Sequence, residues 1–533
     1  MTHVVVIGGG AAGLVAAREA AASGADVTVL EAKPTFGGSV AAHAVAGLTL
    51  DAGAESFATR GGAVAALIGE LGLSDRIVWP HIAGSWLHLP DRTVPAPKGG
   101  MLGIPTDPHS PEVVAAIGQD AANRAARDLD EPLRGVPDTL GELVRARMGQ
   151  AVLDRLVSPV TNGVYSTPAD ELAVDAIAPG LRAALDRTGS LARAVRELRG
   201  GAVAKPGAAA GGLRGGMWTL MSALADDVAA RGGRVLVDAP VRGIRREGGT
   251  WLVDVAVAAR AGTAASPASP SLKQGNPVQT QGDALGLGKN PLSRHPGGGP
   301  GAVQSAAGGG PGPVHSAAGG GPGPVQSAAG VWAETLRADA VIVATAQSAA
   351  VRLLSGAIPA ADWPVPTRVD LATLVLDAPE LDAAPRGTGL LVADDAHELV
   401  EAKALTHASI KWDWVAEQAG RGRHVVRLSY GQAGHRSRAA DVDDAALHAL
   451  AVQDAATLLG TPLETPQVVG FARSTWTNAV SLATRGQAGR VAAVRDAVAA
   501  VPGLEVTGAW VAGTGLASVV PDARAAASRL ASR

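Results

Sequence analysis

His3-Val-Val-Val-Ile7-Gly8-Gly9-Gly10-Ala11-Ala12-Gly13 stands at the start of the chain. The apolar run Val4–Ile7 ends in a glycine turn, and Ala11–Ser23 follows with helical composition. Gly8, Gly10 and Gly13 have the GxGxxG spacing. The first glycine permits a tight turn, the second lets the backbone approach a pyrophosphate, and the third lets the helix close on the strand. The helix N-terminus then points its positive dipole at the phosphates. A second strand, Asp26–Leu30, ends at Glu31, eighteen residues beyond Gly13, where a carboxylate accepts hydrogen bonds from a ribose. Strand, turn, helix, strand and acid in this order predict a dinucleotide site at Gly8, Gly9, Gly10, Ala11, Ala12, Gly13, Glu31 and Ala32. The motif serves FAD and NAD alike.

Outward from this stretch, short β-like runs alternate with helical ones as far as about residue 260. Arg234–Val237 reads as a strand, and Ala63–Leu71 and Trp218–Ala230 read as helices. That alternation predicts an α/β protein with a parallel sheet. Pro111–Arg199 has helical periodicity, Leu371–Leu376 and Val425–Leu428 read as strands, and Gly508–Ala531 reads as strand, glycine turn and helix. Ala261–Gly330 differs. Gly297–Ala307, Gly308–Ala318 and Gly319–Ala329 repeat GGGPGxVxSAA. The period is not that of collagen, and too little apolar surface is present to offset chain entropy, so disorder is expected. Its flanks, Thr250–Val257 and Val331–Ala338, look like the two strands of a hairpin.

Composition removes several function classes. The 533 residues carry a net charge of −3, so no basic field exists to hold nucleic acid. Without cysteine there are no disulfides, thiolate metal sites or cysteine nucleophiles. The twelve histidines show no metal spacing. No run of about 18 apolar residues predicts a membrane span, and no secretory signal is read, so a cytoplasmic protein is expected.

The next segments resemble a known family. Gly37-Gly38-Ser39 follows Glu31 closely, and Gly53-Ala54-Glu55-Ser56-Phe57 leads to Arg60 and to Glu70-Leu-Gly-Leu73. Gly212–Leu220, the strand ending Pro240-Val241, Ala338–Ala344, Ser409-Ile-Lys411-Trp412 and Gly513–Asp522 with Val519 and Val520 follow in order. Together these resemble the FAD-dependent porphyrinogen oxidase family of the amine oxidase superfamily. The resemblance covers nearly the whole chain outside 261–330. It implies a Rossmann-like FAD-binding domain interleaved with an α+β substrate domain. The flavin domain is expected at 1–95, 206–260, 331–360 and 476–533. A helical part of the substrate domain is expected at 96–205 and its sheet at 361–475. FAD contacts are expected from Gly37, Gly38, Ser39, Gly53, Ala54, Glu55, Ser56, Val241, Ala344, Trp476, Gly513, Val519 and Val520. Ser39 stands where the family has a basic residue, and Ala54-Glu55 where it has Pro-Asp. Asn478–Ala483 departs from the family's Pro-Gln-Tyr stretch.

The resemblance also implies oxidation of a porphyrinogen in haem biosynthesis, in rounds of hydride removal to flavin N5 with dioxygen as final acceptor. The protein's part is orientation, and no catalytic side chain announces itself. Arg60 and Lys411 are candidates for binding propionates. Trp412, read in a strand, is a candidate for facing the macrocycle, as is Trp414. The Ala, Gly, Pro and Arg bias is that of a GC-rich genome such as an actinobacterium's, which favours coproporphyrinogen III over protoporphyrinogen IX. Contact with other haem-pathway enzymes is a further expectation. Two other readings stay open: an amine oxidase-like enzyme, and a flavin-binding stimulatory protein for haem synthesis without turnover of its own.

Overall fold

His3–Ile7 is the central strand of a five-stranded parallel sheet in the computed structural model, which describes residues 1–132, 135–200, 209–258, 331–434, 437–477 and 483–531. The glycine-proline repeats of 261–330 lie outside the described residues, as does most of Asn478–Ala483. Strand order in the sheet is Arg234–Leu236, Asp26–Leu30, His3–Ile7, Ala340–Val343, Leu504–Val506, every pair parallel. Both faces are covered, as parallel sheets require. Val4 and Val6 point into a core shared with helices Ala11–Ala22, Trp218–Ala230 and Leu516–Ala531. Val5 and Ile7 point into a second core closed by a three-stranded antiparallel sheet and helix Gln487–Ala499. In that antiparallel sheet Thr250–Ala258 pairs with Val331–Ala338, with Ala258 opposite Val331, as the flanks of the repeat segment predict.

A seven-stranded sheet forms the other half. Its order is Val468–Trp476, Val369–Asp377, Arg423–Tyr430, Ala404–His407, Gly389–Val392, Trp86–His88, Thr93–Pro95. Helices from Pro111 to Leu198, and helix Asp444–Leu459, share one core with this sheet. The architecture is thus the expected α/β one, a Rossmann-like sheet joined to an α+β half.

Two expectations need correction. Trp86–His88 and Thr93–Pro95 belong to the seven-stranded sheet, not to the flavin half assigned to 1–95. Leu87, Leu89 and Val94 are buried with the helical core, and three-residue strands show no period long enough to read. The expected strand just past Gly508 is also absent. The strand is Leu504–Val506, and after Gly508 (φ 127°) the chain makes a short helix, Ala509–Ala512.

Candidate functional site

The phosphate turn is shaped by close backbone approach. A Cβ on Gly13 would lie 1.8 Å from the Gly8 carbonyl oxygen, so the helix meets the turn only without a side chain there. At Gly10 the situation is reversed: a Cβ would meet nothing nearer than the Gly38 Cα at 3.9 Å. Packing within the protein does not demand glycine at that point, whereas a phosphate resting on the backbone would. Gly10 caps the helix with extended backbone and no side-chain acceptor, leaving first-turn N–H groups directed outward. Ala11 and Ala12 form that first turn. Glu31 accepts from Gly9 N through Oε2 and from Lys33 N through Oε1, both at 2.8 Å, so its carboxylate is fixed beside the turn.

The loop after Glu31 folds back over the turn. Gly37 N donates to Gly9 O at 2.7 Å, and Gly10 and Gly37 form an isolated parallel bridge. Ser39 O accepts from Ala54 N at 2.9 Å, and a Cβ on Gly53 would lie 2.1 Å from that same oxygen. Trp476 seals the corner, its Nε1 donating to Ala52 O at 3.3 Å and its ring lying under Lys33 Nζ. Lys33, Thr35, Gly38, His43, Ser474 and Trp476 line an open cavity of about 210 Å³ there. His43 Nδ1 lies 3.3 Å from Ser474 Oγ, and its buried Nε2 has no partner. Burial, then the nearby Arg427 charge, lowers the His43 pKa to about 4, so a neutral imidazole faces this space.

The other expected contacts are placed as follows. Ala32 and Ser39 are exposed on the loop. Ala344 packs on Gly8, where a Cβ would meet its carbonyl at 2.8 Å. Val241 follows the segment in which Ala239 N donates to Glu31 O at 2.8 Å. Gly513 (φ 102°) ends the short helix Ala509–Ala512, and the Val519 and Val520 side chains lie in the core under the first helix. Arg60 is exposed and reaches Ser518 Oγ at 3.5 Å, which brings it to the start of that helix. Ser56 adjoins Phe57, which pairs with Gly211.

The three substrate candidates separate. Trp412 is a correction: it is 2% exposed, in the junction core with Val45, Leu50 and Val425, its ring against Gly212. Trp414, 6% exposed, is in the same core. Neither faces an open site, and the stretch forms helices Ala408–Lys411 and Asp413–Ala419 instead of a strand. Lys411 is not free either, since its Nζ donates to Glu55 Oε1 at 2.5 Å. Arg60 alone of the three remains exposed.

Three residues of this site were not anticipated. Arg427 donates to Glu55 Oε2 at 2.9 Å and to Gly53 O at 2.7 Å. An arginine amid the apolar run His424-Val-Val-Arg-Leu428 was the available signal, because a buried arginine needs an acceptor. Asp51 accepts from Met217 N and Trp218 N, both at 3.1 Å, capping helix Trp218–Ala230. Burial raises the Asp51 pKa to about 6. His43 carried no signal. Among the described residues no cluster could hold a metal, and no helix is long and apolar enough to cross a membrane.

The geometry fits FAD: an open cradle at the glycine turn, a carboxylate fixed beside it, and a glycine path past an imidazole whose Nε2 has no partner. Residues 11–266 match the family described as flavin containing amine oxidoreductase. The chain is thus similar to flavoprotein oxidoreductases of that family, and FAD is its cofactor. Along nearly its whole length it is similar to mycobacterial coproporphyrinogen III oxidases. It is 28% identical over 529 residues to that enzyme of Mycobacterium tuberculosis, covering 97% of this chain and 94% of the relative. With that of Propionibacterium freudenreichii it shares 36% identity over 185 residues, 35% of that protein. In fold it is similar to a putative protoporphyrinogen oxidase from Exiguobacterium, with a TM-score of 0.74 at 22% identity, covering 99% of this chain and 98% of the other. Putrescine oxidase has the same fold at a TM-score of 0.56 and 14% identity, covering 100% and 99%.

Proposed function

We propose that this flavoprotein oxidises coproporphyrinogen III to coproporphyrin III, with dioxygen as electron acceptor. The observation that carries the reading is similarity to coproporphyrinogen III oxidases along 97% of the chain. It includes the seven-stranded half as well as the flavin half. Bound FAD supplies the hydride acceptor; the chain's own residues bind, orient and exclude water.

Arg60 offers an exposed guanidinium where the turn 53–60 meets the last helix, suited to bidentate recognition of a propionate. The amine oxidase reading is weakened by the tyrosines. Tyr430 is wholly buried, so it cannot wall an aromatic cage.

Porphyrin fluorescence tests the proposal. Coproporphyrinogen III and protoporphyrinogen IX are each added in air to the FAD-loaded protein. Faster growth with the first substrate, lost under nitrogen, is the expected outcome. A flavin-loaded protein that oxidises neither above the uncatalysed rate overturns the enzymatic reading, and leaves the stimulatory one.

A further inference from the structure

Glu55 makes contacts that a place in the flavin-binding turn does not by itself explain. Its carboxylate is held from both sides by the other half of the molecule: Lys411 Nζ at 2.5 Å on one oxygen and Arg427 Nη1 at 2.9 Å on the other. The Glu55 and Arg427 side chains are 14% and 9% exposed, and Lys411 is 24% exposed. Arg427 takes a second grip on the same turn through Gly53 O at 2.7 Å. Its Nε is buried without a partner, so the guanidinium is committed to this one turn. The two cations draw the Glu55 pKa down to about 2, against the upward effect of its burial, which keeps the bridge ionised at any ordinary pH.

The turn so held cannot move alone. Gly53 lies against Ser39 O and the Trp476 ring, with the hypothetical Cβ at 2.1 and 3.2 Å. The Ser39 loop is in turn bridged through Gly37 to Gly10. A continuous path of contacts therefore runs from strand Arg423–Tyr430 of the seven-stranded sheet to the phosphate turn.

We infer that Glu55 is a positioning residue: its bridge to Lys411 and Arg427 sets where the flavin-bearing turn stands relative to the substrate sheet, and Lys411 serves that bridge instead of a substrate carboxylate. The inference rests on the reading of turn 53–56 as a flavin contact.

A double-mutant cycle tests it, with Glu55→Gln, Lys411→Met and both together, each stripped and reloaded with FAD. Three quantities are read: FAD affinity by fluorescence quenching, visible circular dichroism of the bound flavin, and kcat and KM with coproporphyrinogen III. Glu55→Gln is expected to weaken FAD binding by about tenfold. It should lower kcat by about tenfold or more with KM within about twofold. The double variant should be no worse than Glu55→Gln alone, since both changes break one bridge. Glu55→Asp should recover most of the loss.

Should Glu55→Gln not fold, Lys411→Met decides, because it leaves the Glu55–Arg427 pair in place. Altered flavin dichroism and kcat at unchanged KM support positioning. A raised KM with wild-type dichroism makes Lys411 a substrate ligand and overturns the inference, as do additive losses in the cycle. A wild-type protein that fails to take up FAD removes the underlying reading instead.

Discussion

Lys403 is 2% exposed, and its amine donates to Ser166 Oγ and Gly431 O, each at 2.6 Å. Burial pushes its pKa from 10.5 down to about 7. Because folding disfavours the proton, the penalty is in full force below pH 7, shrinks as pH rises, and is gone above about 10.5. Wild-type stability from this group should therefore climb between those values, and Lys403→Met should lack that climb. Urea midpoints across the range measure it; a variant whose midpoints track the wild type at every pH refutes the account. Glu31→Ala should weaken FAD binding by about 10- to 100-fold, the worth of one or two hydrogen bonds to a charged acceptor, read by titrating apo-protein with FAD. The place of Glu31 beside the turn was legible because neighbouring backbone, Gly9 N and Lys33 N, fixes it. Arg427 and Asp51 were not, because their partners lie 372 and 166 residues away and are chosen only by tertiary packing.

At the scale of elements, the glycine turn makes a sharper prediction than its motif does. Gly13→Ala collides with the Gly8 carbonyl, so it should destabilise the apo-protein itself, lowering its melting temperature. Gly10→Ala has room, so the apo-protein should melt as the wild type does while FAD affinity drops by at least about tenfold. Equal melting losses in both variants would show that Gly10 serves packing after all. The strand–turn–helix, the helix Trp218–Ala230 and the hairpin strands flanking the repeats were readable because each has a full period of pattern. Trp86–His88 and Thr93–Pro95 were not, being only three residues each. Trp412 misled for a related reason: a large aromatic beside a lysine looks the same in sequence whether it lines a site or fills a junction core.

For the whole molecule, the pairing of Ala258 with Val331 means the chain leaves and re-enters the antiparallel sheet at neighbouring positions. Replacing residues 259–330 by Asn-Gly, the favoured two-residue hairpin turn, should leave FAD content and melting temperature unchanged. Loss of flavin or a clearly lower melting temperature in that variant would give the segment a structural task. The parallel sheet has a different relation to the chain. Its central strand is residues 3–7, and its last edge strand is residues 504–506. The helix that packs on the first helix ends at Ala531. At about 5–20 residues per second of synthesis, the first strand would wait roughly half a minute to two minutes for that neighbour. A ribosome-bound chain would expose the glycine turn early, yet could not close the sheet around it until Leu504–Val506 and Leu516–Ala531 had been made. Retention of the yellow cofactor would then mark a polypeptide made at least as far as Ala531, and a chain released before Leu504 would be left colourless for the proteases.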